Sequence, residues 1–221
     1  MIKKVLIAED HESANISLQK TLEELGITDV DYVYYCDDAL LRIRNAKEHM
    51  LSYDLLITDL SFDDDGRVQQ LAGGIELISA ARATQPEIKV LIFSGESKAT
   101  VIEDLFNKHQ IDGFVRKARH DSKELKSAIS QIAINQRYFP RHLIELVKKK
   151  NAYEFTELDI TIVSLLAEGT RQKDIPAYLQ LHNIRPSGLS SVEKRLNQVK
   201  DALGFTKNEQ LVAYCKDMGI I

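Results

Sequence analysis

The sequence predicts an α/β fold, a doubly wound five-stranded parallel sheet, followed by a small all-α domain. Short apolar runs alternate with amphipathic segments through residue 136, and this alternation is typical of a parallel sheet covered by helices on both faces. From Phe155 onward no strand-like run follows, and the remaining pattern is helical. With 221 residues and 44% hydrophobic content, the chain is long enough to build packed cores for both domains.

Five short apolar runs are the predicted strands of the sheet. They are apolar at consecutive positions, which is typical of strands buried on both faces. The second run is mainly β-branched and aromatic, and this composition also favours a strand. The five runs span residues 5–8, 30–35, 55–60, 90–93 and 113–116.

The segments between these runs carry apolar residues three or four positions apart, the spacing of a helix with one buried face. The predicted buried residues of the first helix are Ile16, Leu18, Leu22 and Leu25, with Gly26 as its C-terminal stop. Asp37 and Asp38 open the second helix, because acidic residues stabilise a helix N-terminus. Three more helices are predicted over residues 74–84, around 101–106 and over 125–133.

The predicted all-α domain contains four helices. Thr156 is placed to cap the first of them, and Gly169 is placed to end it. The other three are predicted over residues 170–181, 190–203 and 207–218. We therefore divide the chain into a first domain at 1–136, a linker with a short helix at 137–154 and a helical domain at 155–221.

Composition and charge limit the class of protein. Lys plus Arg total 29 against 33 Asp plus Glu, so the net charge of -4 argues against bulk nucleic-acid affinity but permits a local basic face. No apolar run approaches the ~20 residues of a membrane span, and acidic Glu9 and Asp10 end the first run too early for a signal peptide. Cys36 and Cys215 lack partners for a disulfide or a zinc site. We expect a cytoplasmic protein with no membrane segment.

Five chemically active side chains follow the predicted strands at their carboxyl ends. A doubly wound sheet brings these ends into one crevice, where open α/β sheets bind ligands. Singly, each has a structural explanation, as a turn-forming Asp, a capping Ser or a surface Lys. Their convergence favours a shared site. The five residues are Glu9, Asp10, Asp59, Ser94 and Lys117.

The residue types in this crevice suit phosphoryl transfer. Neighbouring carboxylates repel one another unless a cation joins them, and an all-oxygen acidic cluster suits Mg²⁺. Asp59 is placed to act as a nucleophile, because a carboxylate can attack phosphorus and form an acyl phosphate. Mg²⁺ and Lys117 would neutralise charge on the transferred group, and Ser94 supplies a hydroxyl that can reach a phosphoryl oxygen.

Four motifs resemble the receiver domain of two-component response regulators, and the resemblance covers residues 1–136. The motifs are Ile-Ala-Glu9-Asp10-His11, Leu-Ile-Thr-Asp59-Leu-Ser, Ile-Phe-Ser94-Gly and Phe114-Val-Arg-Lys117. The resemblance implies that Asp59 receives a phosphoryl group from a sensor histidine kinase, and that the domain catalyses only its own phosphorylation and dephosphorylation. The implied metal ligands are Glu9, Asp10, Asp59 and the carbonyl of Ser61. The implied phosphate-contacting and switch residues are Lys117, Ser94 and Phe114.

The helical domain resembles the LuxR-type helix-turn-helix of the NarL/FixJ class of response regulators. The resemblance rests on residues 155–169, Lys173-Asp-Ile175, Val192-Glu-Lys194-Arg195 and Glu209-Gln-Leu211. It implies a phosphorylation-controlled transcription regulator whose third tail helix lies in the major groove of DNA. Candidate base or phosphate contacts are Lys194, Arg195, Asn197 and Lys200, which helical spacing places toward solvent, opposite a core stripe of Val192, Leu196, Val199 and Leu203. Leu211, Val212 and Tyr214 are expected to pair two chains in a homodimer favoured by phosphorylation.

Two departures from the family pattern leave alternatives open. The loop after Asp59 carries Asp63-Asp64-Asp65 and an extra stretch at 67–73, which either tunes metal affinity or forms a solvated loop. Extra residues within 182–188 and Pro176 alter the helix-turn-helix, because Pro removes a hydrogen bond inside a helix. Acidic residues slightly outnumber basic ones in the tail, so a tail that docks a protein partner is the alternative to DNA binding. A phosphatase or other metal hydrolase is disfavoured, since no further base or substrate pocket is visible.

Overall fold

The computed structural model describes residues 2–119, 121–140 and 153–221. The described chain forms two compact units, an α/β unit that ends at Pro140 and a helical unit, and each is described by itself. The short helix predicted for the linker at 137–154 falls mainly on residues 141–152, which lie outside the described residues. Within the described ranges, no helix has both the length and the apolar character that crossing a bilayer requires.

Strands and helices alternate throughout the α/β unit. The strands are β1 (Lys4–Ala8), β2 (Asp29–Val33), β3 (Leu55–Thr58), β4 (Lys89–Ser94) and β5 (Gly113–Arg116). The helices are α1 (Glu12–Glu24), α2 (Cys36–Glu48), α3 (Gly74–Thr84), α4 (Ala99–Asn107) and α5 (Asp121–Ala133). Every strand pairs in parallel, in the order β2-β1-β3-β4-β5, so the predicted doubly wound sheet is confirmed.

Apolar side chains pack against both faces of this sheet. Consecutive strand residues point to opposite faces, so Ile7 joins the core beneath α1 and α5 while Leu6 joins the core beneath α2 and α3. This explains why the strands are continuous apolar runs. The helices contribute Leu18, Leu22, Leu125 and Ile129 to the first core and Ala39, Ile43, Leu77 and Ala81 to the second. Each fully buried large side chain contributes about 1.5–3 kcal/mol of transfer free energy.

The predicted buried face of α1 is wrong at Ile16. Its side chain is 61% exposed, whereas Asn15 is buried on the same face as Leu18. Ile16 lies about 200° around the helix from Leu18, because successive residues of an α-helix are about 100° apart. The buried amide of Asn15 donates from Nδ2 to the carbonyl oxygen of Glu9 at 3.3 Å. A polar residue therefore takes the place predicted for an apolar one and supports the end of β1.

The helical unit is built from four α-helices and one short 3-10 helix in its described part. These are α6 (Glu157–Ala167), the 3-10 helix (Gln172–Asp174), α7 (Ile175–Leu181), α8 (Leu189–Leu203) and α9 (Asn208–Asp217). The predicted cap of α6 is confirmed, because Thr156 Oγ accepts the Asp159 N–H at 3.4 Å and the Asp159 carboxylate accepts the Thr156 N–H at 2.9 Å. The chain after α6 turns at Gly169, whose φ of 90° is left-handed.

The single helix predicted over residues 170–181 is split in the structure. The 3-10 turn comes first, and α7 starts only at Ile175, so Pro176 lies in the first turn of α7. Pro is tolerated there because the first N–H groups of a helix have no acceptor within the helix. The late start of α7 removes the conflict that Pro176 posed for the predicted helix.

Helices α8 and α9 supply much of the core of the helical unit. The predicted core stripe of α8 is confirmed, since its buried residues are Val192, Leu196, Val199 and Leu203. In α9, Leu211 and Tyr214 are also buried, with exposed fractions of 0% and 3%. The expectation that these two residues pair two chains is therefore wrong, because their side chains pack inside their own unit.

Candidate functional site

The carboxyl ends of β1, β3, β4 and β5 bring the predicted site residues to one edge of the sheet. Parallel pairing places Ala8 beside Thr58, so the residues that follow β1 and β3 are neighbours. The pairing extends beyond the strands, because the Asp59 N–H donates to the Ala8 carbonyl at 3.1 Å and the Lys117 N–H to the Ser94 carbonyl at 2.8 Å. The backbone ladder itself therefore sets the spacing of these side chains.

Lys117 joins two carboxylates that come from different strands. Its Nζ lies 2.5 Å from Oδ2 of Asp59 and 2.8 Å from Oε1 of Glu9, and both carboxylates are buried. Burial raises the pKa of Glu9, although the hydrogen bond from Lys117 opposes the rise. Burial also lowers the pKa of Lys117, but its hydrogen bonds to Asp59 and Glu9 outweigh this and hold the pKa above its ordinary value. Lys117 is therefore a cation at neutral pH.

The same edge holds an acidic group that could bind a divalent cation. Glu9, Asp10, His11 and Asp59 each place one ligand atom within 4.8 Å of the others. Both carboxylate oxygens of Glu9 lie 2.8 Å from Lys117 Nζ, so this ammonium balances the buried carboxylate. Three of the four groups are carboxylates, and carboxylate oxygens are ligands that Mg²⁺ prefers. The residues present thus fit the predicted Mg²⁺.

His11 and Ser61 also lie at this edge of the sheet. His11 was not assigned as a ligand, yet its Nδ1 lies 2.9 Å from Oδ1 of Asp10, and this hydrogen bond raises the pKa of His11. Its position directly after the acidic pair was the available signal in the sequence. Ser61, predicted to offer its carbonyl, is exposed and lines the same open cleft as Asp59.

The predicted switch residues lie on β4 and β5. Ser94 ends β4, is almost fully buried and lines the cleft with Asp59, and its Oγ accepts the Glu96 N–H at 3.5 Å. Phe114 lies in β5 beside Ile92 of β4 and is completely buried. The structure therefore brings Ser94 to the site and places Phe114 in the core of the same sheet.

Glycines allow α3 to begin against the backbone of Asp59. A Cβ on Gly74 would lie 1.9 Å from the carbonyl oxygen of Asp59, and one on Gly73 would lie 2.8 Å from that of Leu60. Non-bonded atoms do not approach so closely, and both obstacles are backbone atoms. Any side chain at Gly74 must therefore displace the chain at Asp59.

We expect Gly74→Ala to destabilise the α/β unit by about 1–3 kcal/mol, the usual cost of forcing an extra methyl group into a packed position. Urea unfolding measures the loss. Gly95→Ala is the matched control at the same edge of the sheet, because a Cβ there meets no atom within 4 Å. Equal stability of the two variants would contradict the close approach of α3 to Asp59.

In the helical unit, Arg195 was predicted to face solvent, but it is only partly exposed and pairs with a buried carboxylate. Its Nε donates to Oδ1 of Asp159 at 2.5 Å and its Nη2 donates to Oδ2 at 2.9 Å. Asp159 is 1% exposed and needs a charged partner, which explains why the guanidinium turns inward. Arg195 is thus engaged in an ion pair within the unit. The predicted contacts Lys194 and Asn197 are exposed, and Lys200 is partly buried.

The fold and the site define a class of domain. A parallel sheet with the strand order 2-1-3-4-5 is flavodoxin-like, and such sheets bind their ligands at the carboxyl edge where the acidic group and Lys117 lie. Residues 5–130 match the family model of the response regulator receiver domain. The chain therefore belongs to the response regulator receiver family. No curated protein matches the chain in sequence.

Solved structures of similar fold cover either nearly the whole chain or about two thirds of it. One is of RcsB dimers bound to two parallel DNAs, with 21% identity, a TM-score of 0.57, and coverage of 98% of this chain and 99% of that one. Another is RcsB of Salmonella enterica serovar Typhimurium bound to promoter P1flhDC with the phosphomimetic BeF3-, at 20% identity, a TM-score of 0.52 and the same coverage. The isolated REC domain of that protein matches 65% of this chain over 96% of its own length, at 23% identity and a TM-score of 0.51. These similarities show the fold, including the helical unit.

Proposed function

We propose that this response regulator is a phosphorylation-controlled transcription regulator, in which Asp59 accepts a phosphoryl group from a sensor histidine kinase and the helical unit binds DNA. One observation carries the proposal. Lys117 contacts both Asp59 and Glu9 at the edge where a receiver domain binds its ligand. The DNA-bound structures of similar fold support the proposed role of the helical unit.

In the proposed reaction Asp59 is the nucleophile. A lone pair of its carboxylate forms the bond to phosphorus while the bond from phosphorus to the donor breaks, and the electron pair of that bond leaves with the donor. Mg²⁺, held by Glu9, Asp10, Asp59 and the carbonyl of Ser61, would supply neutralisation of the phosphoryl charge. Lys117 already contacts Asp59, so its ammonium is placed to donate to an oxygen of the transferred group.

Ser94 and Phe114 are the proposed switch. Ser94 lines the cleft, and its hydroxyl oxygen accepts a long hydrogen bond from the Glu96 N–H at 3.5 Å. Because this bond is weak, the hydroxyl can turn toward a phosphoryl oxygen. A shift at the end of β4 bears directly on β5, because Ser94 pairs with Arg116 and Ile92 pairs with Phe114. The new charge on Asp59 can thereby bias a packed element between two arrangements. We propose that the second arrangement favours a homodimer.

The proposed DNA-binding helix is α8. Its buried stripe faces the core of the helical unit, which leaves Lys194, Asn197 and Lys200 as the candidate contacts to bases or phosphates. Arg195 has a different role in the proposal. Its ion pair with Asp159 ties α8 to the start of α6 and so holds the helix in place.

We expect the phosphorylated protein to bind genomic DNA fragments with an affinity that falls steeply as salt concentration rises. Each phosphate contact contributes about 0.9 to the slope of log affinity against log salt, so Lys194→Ala and Lys200→Ala should each flatten that slope by up to about one. Fluorescence anisotropy with a small phosphodonor present measures the slope.

Lys108→Ala is the control for these variants, because Lys108 is an exposed lysine of the α/β unit paired with Asp104. It should leave the slope unchanged. If the phosphorylated wild type binds no fragment at any salt concentration, the DNA-binding part of the proposal fails and the tail is a protein-docking module instead.

A further inference from the structure

The loop between β3 and α3 contains the extra stretch 67–73. The whole segment 61–73, called the insert below, is attached at several points to other parts of the α/β unit. Two explanations were open for it, a solvated loop or an influence on the metal site. The contacts of its side chains and N–H groups decide between them. They reach the start of α2 on one side and the acidic group on the other.

Arg67 is the main anchor of the insert on α2. Its Nη1 and Nη2 donate to the two carboxylate oxygens of Asp38, at 3.1 and 2.8 Å, and its guanidinium lies 4.0 Å from the centre of the Tyr35 ring. The Tyr35 hydroxyl donates in turn to Oδ2 of Asp65 at 2.5 Å. A single exposed ion pair contributes little, but two-point geometry and stacking on an aromatic ring fix the direction of the guanidinium.

A second anchor uses the backbone of the insert. The N–H groups of Gln70 and Leu71 donate to the carboxylate of Asp37 at 2.8 and 3.0 Å. Asp37 and Asp38 are adjacent in the first turn of α2, which is itself packed on the sheet. The middle of the insert is therefore held by neighbouring carboxylates on a rigid helix.

The first part of the insert reaches the acidic group. The N–H of Asp63 donates to Oδ2 of Asp10 at 2.6 Å, while Oδ1 of Asp10 contacts His11. Asp10 is one of the residues proposed to hold Mg²⁺. Its carboxylate is thus oriented by a hydrogen bond from a loop that Arg67 helps to hold in place.

The geometry points to Arg67 and Asp38 as positioning residues for the metal site: by anchoring the insert they aim the Asp63 N–H at Asp10 and so raise the affinity for Mg²⁺. This inference rests on the proposed function. Hydrogen bonds that orient metal-binding carboxylates are typically worth 10- to 100-fold in metal affinity. Arg67 acts through the loop rather than on Asp10 directly, so the effect of its loss is smaller.

Calorimetric titration of the unphosphorylated full chain with Mg²⁺ tests the inference. We expect Arg67→Ala and Asp38→Asn each to weaken Mg²⁺ binding by about 3- to 10-fold. The double variant should be no weaker than either single one, because both changes remove the same ion pair. Lys108→Ala, which removes an exposed ion pair with Asp104 elsewhere on the unit, should bind Mg²⁺ as the wild type does.

Phosphorylation by a small phosphodonor at varied Mg²⁺ provides the second measurement. The Mg²⁺ concentration that gives the half-maximal rate should rise by the same factor in Arg67→Ala, whereas the rate at saturating Mg²⁺ should not change. Unchanged Mg²⁺ affinity in both anchor variants would overturn the inference, and so would a wild type that binds no Mg²⁺. A wild type that binds Mg²⁺ but takes up no phosphoryl group would instead overturn the proposed function, while the titration still decides the role of Arg67.

Discussion

Asp59→Asn is expected to abolish phosphorylation by a small phosphodonor. The amide of Asn is a much weaker nucleophile than the carboxylate of Asp. Because loss of a nucleophile typically costs several orders of magnitude in rate, we expect the phosphorylation rate to fall by at least about 100-fold. The fold should survive the change, because Lys117 keeps its hydrogen bond to Glu9 at 2.8 Å. The buried cluster then holds the Lys117 ammonium and the Glu9 carboxylate, instead of one ammonium and two carboxylates.

The adduct itself identifies the residue. An acyl phosphate is labile in acid and is released by hydroxylamine, so radiolabel on the wild type should be lost under both treatments. Chelation of Mg²⁺ should slow its formation. Asp104→Asn makes the same chemical change at an exposed position paired with Lys108, and it should be phosphorylated normally. Retention of the adduct in Asp59→Asn would show that another residue accepts the phosphoryl group.

Asp159→Ala is expected to destabilise the helical unit by about 2–3 kcal/mol. Breaking a buried ion pair typically costs about 3–5 kcal/mol, and the value is lower here because the Arg195 side chain is 31% exposed. The same carboxylate accepts the N–H of Thr156 at 2.9 Å and the hydroxyl of Tyr153 at 3.1 Å, so the change also removes the side-chain half of the capping box of α6. A domain of this size has little stability to spare.

Amide hydrogen exchange distinguishes loss of stability in the helical unit from loss in the α/β unit, because it reports the opening of α6 and α8 directly. Arg195→Ala should have a similar effect, and the double variant should cost less than the sum of the two. Asp201→Ala is the control, since it removes an exposed carboxylate from the same helix α8. Protection in Asp159→Ala equal to that of the control would rule out a structural role for the pair.

The pair also predicts how the stability of the helical unit depends on pH. Burial opposes ionisation of Asp159, but hydrogen bonds from Arg195 and Thr156 outweigh it and hold the pKa of Asp159 below its ordinary value. A lowered folded-state pKa adds stability above the unfolded value of about 3.9, and that stability is lost as pH falls toward the folded-state pKa. In Asp159→Asn this contribution to the pH dependence should be missing.

The sequence by itself determined the alternation of strands and helices in the α/β unit. Buried parallel strands must be apolar on both faces, and the helices must bury one stripe, so their patterns are visible without a structure. The residues after the strands could likewise be assigned to one edge, because parallel strands end together. Lys117 and Asp59 are far apart in the chain, yet their proximity followed from this rule.

Local chemistry was predictable for the same reason, since its partners lie close in sequence. The cap of α6 joins Thr156 to a residue three positions later. The predicted burial of Ile16 was wrong, because Ile16 lies about 200° around α1 from Leu18 and so cannot share its buried face. An apolar side chain on the solvent-facing side of a helix remains exposed.

Only the tertiary structure decided which distant polar groups meet. Arg195 and Asp159 are 36 residues apart. From the sequence pattern alone, Arg195 is a cation on the surface of one helix and Asp159 an acid in the first turn of another. Arg67 and Asp38 are 29 residues apart, and the sequence predicts that Arg67 lies in a loop and Asp38 at the start of a helix. Periodicity tells which face of an element is apolar, but the partner of a charged side chain depends on the packing of whole elements, and that packing is a property of the folded chain.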